Sequence, residues 1–217
     1  MHIFTYNPPT LPWLDIRYID RDIIVIHKPS GLLSNPGRAE NTQDCAINRV
    51  KQRYNDAILV HRLDCDTSGV VIFARNKKAE SHLKTQFQNR LAKKVYIAEV
   101  AGIVAQDTGH IDFSLAPEKD NPPFQQVSKD GKAAVTDYKV VQHRTGSTLV
   151  ELYPQTGRTH QLRVHMLAIG HPILGDTFYG NEQVINASPR LKLHAKSLII
   201  THPYSQKEMT FYSPEHF

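Results

Sequence analysis

An α+β fold, built on a mixed and mainly antiparallel sheet with flanking helices, is what the sequence predicts. Three observations predict it. Short β-branched and aromatic runs bounded by turn formers recur along the chain, several of them paired closely enough to be hairpins. Three helical stretches are interspersed among these strands instead of alternating strictly with them. The 217 residues, 40% of them hydrophobic, suffice for one large domain and contain no internal repeat, low-complexity tract or evident linker.

Residues 1–15 are expected to form a Pro-rich arm. Asn7-Pro8-Pro9-Thr10-Leu11-Pro12 cannot be helix, and Trp13 anchors the arm to the body. Residues 16–217 are read as a single domain. Ile16–Ile19 and Ile23–Ile26 flank Asp20-Arg21-Asp22 as a hairpin. Lys28-Pro29-Ser30-Gly31-Leu32-Leu33 and Asn35-Pro36-Gly37-Arg38 then make a shaped loop with two Pro–Gly turns. Asn41 or Thr42 caps a helix from about Asp44 to Tyr54.

The polar stretch His61-Arg62-Leu63-Asp64-Cys65-Asp66-Thr67-Ser68-Gly69 lies between two apolar runs, Ala57–Val60 and Val70–Phe73. Both runs read as strands, so the stretch is a loop pinned at both ends, the usual place for chemistry. Thr67 and Ser68 can hold a turn through the backbone, and Gly69 permits a conformation that a side chain forbids. Arg62 stands beside Asp64, and a nearby guanidinium favours the ionised carboxylate, which suits a nucleophile or base and not a general acid. Taken alone, the loop is more readily a surface turn with an incidental ion pair, the commoner arrangement. A kinase catalytic loop is excluded: a Leu separates Arg62 from Asp64, no Gly-rich phosphate loop precedes it and no Asp-Phe-Gly follows.

Asn76 caps a second helix, Lys77 to about Leu91, whose buried face is Ala79, Leu83, Phe87 and Leu91. Its basic outer face reads as solvation. Lys93–Val100 alternates as a strand. Residues 114–132 are irregular, and so long a loop is functional or mobile. Strands resume at Ala134–Val141 and Thr148–Tyr153. Gly157-Arg158-Thr159-His160 opens a third helix to Ile169, ended by Gly170 and Pro172. Leu162, Met166 and Ile169 lie on one face of it and Val164 and Leu167 on another, so Arg163 is a cation on a buried helix and needs an anion. Leu191–His194, Ser197–Ile200 and Met209–Tyr212 complete the strands.

Composition limits the function classes. No apolar run approaches a bilayer span, so no membrane association is expected. The N-terminus lacks a secretory pattern. Cys45 and Cys65 are the only cysteines, without metal spacing, which points to a reducing cytoplasmic compartment. None of the 12 His falls in a zinc spacing, so no metal is expected. The formal charge of +5 and a pI of about 9.1 lean toward polyanions.

Taken together, the motifs resemble one family. His61-Arg62-Leu63-Asp64 with Thr67-Ser68-Gly69 resembles the catalytic motif of the RluA-type pseudouridine synthases. Lys28-Pro29-Ser30-Gly31, Lys94-Val95-Tyr96-Ile97-Ala98, Gly157–His165, Gly170–Asp176 and Leu191–Ala195 are similar to the other motifs of that family, in the same order. The resemblance implies an enzyme that detaches a uracil from C1′ in RNA, turns it and rejoins it through C5, without a cofactor. It implies Asp64 as the catalytic carboxylate, acting either at C1′ or on the C2′ proton. It further implies that Arg163 pairs with Asp64, that Tyr96 stacks on the flipped uracil, and that Arg62 fills the gap in the stack or holds a phosphate. His61, Thr67 and Leu193 are expected at the substrate by motif match. No S4-type RNA-binding domain is expected, since Asp64 comes so early. Asn7-Pro8-Pro9, Leu32-Leu33-Ser34, Pro36-Gly37-Arg38 and His165–Ala168 bring the chain nearest to bacterial members that modify both large-subunit (23S) ribosomal RNA and transfer RNA. The expected partners are stem-loops of both RNAs, bound by a monomer. Two other function classes compete with this reading. A nucleosidase or glycosidase needs a second carboxylate, and Asp66 sits where the family motif varies. A non-catalytic RNA-binding module would need neither Asp64 nor Arg163.

Overall fold

A computed structural model of the chain describes residues 6–37, 39–215 and 217. Arg38 and the first five residues of the arm lie outside the described residues. The fold is α+β, a mixed sheet with few helices. It divides into two compact units, one of residues up to Lys93 with Ala195–Pro214, the other of Lys94–His194 with the C-terminal end.

In the first unit, β1 (Asp15–Ile19) and β2 (Ile23–Lys28) form the expected hairpin. β2 pairs antiparallel with β4 (Ser68–Ala74), which also pairs with the two-residue β3 (Ile58–Leu59). In chain order β11 (Leu193–Thr201) follows much later, and from Ala195 onward it belongs to this unit, where it pairs with β12 (Glu208–Tyr212). All seven residues of β4 are buried. Its side chains meet helix α2 (Lys77–Gln88) in a core of Val25, Ile72, Leu83, Leu198 and Phe211.

The capping chemistry of α2 is as expected: the Asn76 side chain accepts from Ala79 N at 2.9 Å. The helix stops three residues before Leu91, however, because Arg90 adopts a left-handed φ of 60°, and Leu91 is left 63% exposed. Helix α1 (Ala46–Arg53) has Cys45 at its N-cap position without a side-chain cap bond, while Thr42 ends a short 3-10 turn and its hydroxyl donates to Ala39 O. Trp13 does anchor the arm: Arg49 donates to its carbonyl and lies 4.1 Å over its ring.

In the second unit, β5 (Lys93–Ala101), β10 (Ser147–Pro154), β9 (Thr136–Arg144) and β6 (Thr108–Ile111) lie side by side, all antiparallel. Residues 114–132 are not irregular throughout. Leu115–Pro117 (β7) and Gln125–Val127 (β8) pair as a hairpin, closed by bonds between Glu118, Asn121 and Phe124. The third helix is α3 (Gln161–Ala168), and a short fourth, α4 (Glu182–Asn186), follows. Helix α3 is buried along Gln161–Met166, but Leu167 faces out at 38% exposure, so only one of the two residues expected on its second face is covered.

Candidate active site

The loop 61–69 is held by its main chain. All four carbonyls from Leu63 to Asp66 are occupied. Leu63 O accepts from Ser34 Oγ at 2.7 Å, and Asp64 O from Thr67 N at 3.2 Å. Cys65 O accepts from Lys28 Nζ at 2.8 Å and Gly31 N at 3.0 Å, and Asp66 O from Ser30 Oγ at 2.7 Å. Three of these four carbonyls are therefore bonded by the Lys28–Ser34 segment. The antiparallel register that sets Lys28 opposite Gly69 brings the two segments together. Gly69 is required there: φ is +119°, and a Cβ would stand 2.3 Å from Ala195 O of β11.

Lys28 holds this loop, a part that pattern reading did not assign to it. It is fully buried, and its ammonium donates to Pro29 O, Leu32 O and Cys65 O, three acceptors for three N–H groups. Burial pushes its pKa down to about 8, against the opposing pull of negative charge at Cys65, Asp66 and Asp64. A lysine at the end of the buried run Ile23–Ile26, followed at once by Pro29, was the available signal. The cation placed in the field of Asp64 is thus Lys28. Among the described residues Arg62, which is exposed, forms no ion pair with Asp64.

Asp64 itself is half-buried. His61 is locked: its Nε2 accepts from Ile72 N at 3.1 Å and its ring stacks on Phe87 at 4.5 Å. Thr67 acts through its backbone, its buried hydroxyl having no hydrogen-bond partner.

Tyr96, Arg163 and Leu193 lie in the second unit. Tyr96, opposite Leu152 on β10, packs against a cluster that includes Leu162, Met166, Leu191 and the buried Leu193. Arg163 is buried, and an anion for it is Asp176, which the sequence reading did not name: Nη2 lies 2.6 Å from Oδ1 and Nε 2.8 Å from Oδ2. The segment before α3 is tied by side chains. Gln161 Oε1 accepts from Thr156 Oγ1 and Arg158 N, and Gln161 Nε2 donates to Val135 O and Thr136 Oγ1. His165 Nε2 donates to Phe113 O at 3.0 Å, so its Nδ1 accepts from Thr136 Oγ1 at 3.0 Å. Burial holds this imidazole below the ordinary histidine value, consistent with the neutral form.

One set of possible metal ligands, Asp20, Asp22 and His202, brings its donor atoms within 4.8 Å of one another. These atoms already serve a turn: Asp20 accepts from Asp22 N, Ile23 N, Tyr18 and His202 Nε2, and Asp22 accepts from Asn76.

Residues 22–168 match the family model described as RNA pseudouridylate synthase. The chain is 49% identical, over the full length of both, to the dual-specificity RNA pseudouridine synthase RluA of Salmonella typhi and to that of Escherichia coli strain K12. The enzyme of the same name from Pasteurella multocida is 46% identical. Among solved structures, human RNA pseudouridylate synthase domain containing 1 superposes with a TM-score of 0.82 at 27% identity, covering 96% of this chain and 86% of that one. Human RNA pseudouridylate synthase domain containing 4 gives 0.75 at 28%, covering 92% and 88%.

Proposed function

The chain belongs to the RNA pseudouridylate synthase family, and on that premise we propose that Asp64 is the carboxylate with which it isomerises uridine in RNA to pseudouridine. The observation that supports this role is the loop itself. Four successive carbonyls are bonded while the Asp64 side chain stays half-buried, which fixes the backbone beneath a carboxylate that must react.

The target uridine leaves the stack before a protein group can reach it. The N1–C1′ bond breaks, the uracil turns, C5 bonds C1′, and the C5 proton is lost while N1 gains one. Electrons balance without an oxidant or reductant. Asp64 opens the reaction either as nucleophile at C1′ or as base at C2′. Tyr96 stacks on the uracil, and its hydroxyl can take the C5 proton. Arg163 serves the same reaction as a fixed guanidinium. Arg62, exposed on the loop, fills the place of the flipped base or holds a phosphate, and His61, Thr67 and Leu193 shape the substrate site.

The substrates proposed are a large-subunit ribosomal hairpin and the anticodon stem-loop of some transfer RNAs, by similarity to the dual-specificity relatives. We place a monomer in the cytoplasm. Neither Cys45 nor Cys65 is joined in a disulfide, in keeping with a reducing compartment, and no helix among the described residues is long and apolar enough to cross a membrane. The test is to incubate short stem-loops of each kind with pure protein and map pseudouridine. Both should react without accessory proteins. Reaction of one kind only removes dual specificity, and reaction of neither removes recognition by the chain alone.

A further inference from the structure

A bidentate ion pair fixes the direction of a guanidinium, and aromatic rings packed on it confine it further. Arg163 has both constraints. Asp176 takes its Nε and Nη2 edge, and both side chains are at most 2% exposed. The carboxylate cannot drift, since Oδ1 also accepts from Phe178 N at 2.9 Å and Tyr179 N at 3.1 Å. The turn that carries it is equally confined. Gly175 has a φ of +74°, and a Cβ there would stand 2.0 Å from Arg190 O.

Arg163 Cζ lies over the rings of Phe178, 4.7 Å from its centroid, and Tyr179, at 5.2 Å. Those rings are buttressed in turn by Phe124 of the β7–β8 connection, at 5.0 and 5.6 Å between centroids. The Tyr179 hydroxyl accepts from Gln125 N at 2.9 Å and bonds His160 Nδ1 at 2.7 Å, next to the start of α3.

We propose that Asp176 is a positioning residue of the isomerisation: it acts through Arg163, with the rings of Phe178 and Tyr179, buttressed by Phe124, confining the guanidinium. The inference rests on the reading that Arg163 serves the reaction. Asp176 also neutralises the charge of Arg163. The contribution of the pair to the reaction is therefore a guanidinium whose orientation is set before any RNA arrives.

The test is a mutant cycle on turnover of a stem-loop RNA, read by tritium release from C5-labelled uridine. It compares wild type, Asp176→Asn, Arg163→Lys and the double variant. Asp176→Asn should lower kcat by about 10²-fold, the scale of a small misplacement of a reacting group, and change KM by less than about threefold. The double variant should be no slower than Arg163→Lys alone, because both changes spoil one device. Wild-type kcat in Asp176→Asn, or losses that multiply, would overturn the proposal while leaving Arg163 in the reaction. Near-normal kcat in Arg163→Lys would remove Arg163 itself and this proposal with it. If Asp176→Asn does not fold, Phe124→Ala takes its place in the same cycle. A kcat loss of about tenfold that is absorbed by Arg163→Lys supports the proposal, and wild-type kcat overturns it.

Discussion

Asp64 and Arg163 are held in opposite ways. Around Asp64 the structure fixes the main chain: every carbonyl from Leu63 to Asp66 is bonded, mostly by residues of another segment. At Arg163 the main chain is ordinary helix, and the side chain is what is caged, by Asp176, Phe178 and Tyr179. The difference suits the roles proposed for the two groups. A carboxylate that changes its bonding during a reaction cannot have its oxygens committed to structure, so its position must come from the backbone. A guanidinium that only donates hydrogen bonds can give up two of its donors and gain a fixed orientation in return.

The largest expected effect tests the first half of that contrast. Asp64→Asn is isosteric and leaves the four carbonyl bonds intact. It should lower turnover by about 10⁴-fold and leave stability within about 0.5 kcal/mol of wild type. Rate assays and denaturant melts on the same preparation would decide it. A large loss of stability would show the carboxylate to be structural, and appreciable turnover would remove it from the chemistry.

Gly69→Ala attacks the same loop through its backbone. A Cβ would press on Ala195 O at 2.3 Å in a left-handed conformation, so a destabilisation of about 3 kcal/mol is expected, seen as a fall in the urea midpoint. An unchanged midpoint would mean that the loop tolerates movement, and the contrast with the caged arginine would fail.

Lys28→Met is the mildest of the three. Pro29 O and Leu32 O lose the ammonium and Cys65 O keeps only Gly31 N, partly offset by removal of a buried charge, for a net loss of about 2 kcal/mol. Its pH dependence sharpens the test. The folded pKa is about 8 and the ordinary value 10.5, so between them the unfolded chain binds more protons and this group's contribution to stability rises with pH. The advantage of wild type over Lys28→Met should therefore grow as pH climbs through that window. A flat or shrinking difference in paired melts would contradict a Lys28 held cationic against its loss of hydration.

Local chemistry was legible in the sequence, and pairing across the fold was not. The Asn76 cap and the β1–β2 hairpin each depend on residues within a few positions of one another, and both stand as read, as do the strands that flank the loop. Helix ends were misjudged where an attractive residue had another use, as with Thr42 in its 3-10 turn, or where a backbone angle intervened, as at Arg90. The two-unit division leaves no compositional trace because it falls inside β5 and β11. Lys28 beneath the loop and Asp176 on Arg163 depend on register and on a turn, and neither has a periodic signal. The buried Arg163 was rightly read as needing an anion, but hydrophobic pattern alone does not identify Asp176 as one.

The stitching of the loop also bears on how such a motif can be inherited or transplanted. Lys28 and Cys65 are 37 positions apart, Ser30 and Asp66 36, and Ser34 and Leu63 29. An excised His61–Gly69 peptide would lose the donors of three of its four ordered carbonyls, and a graft of those nine residues alone would carry the carboxylate without its geometry. Because the Lys28–Ser34 bonds close loops of this length, their entropic cost is met only once β2 has found β4. The portable unit is thus a pair of distant segments joined by one strand register, and any permutation or recombination that separates them parts Asp64 from the shape that makes it useful.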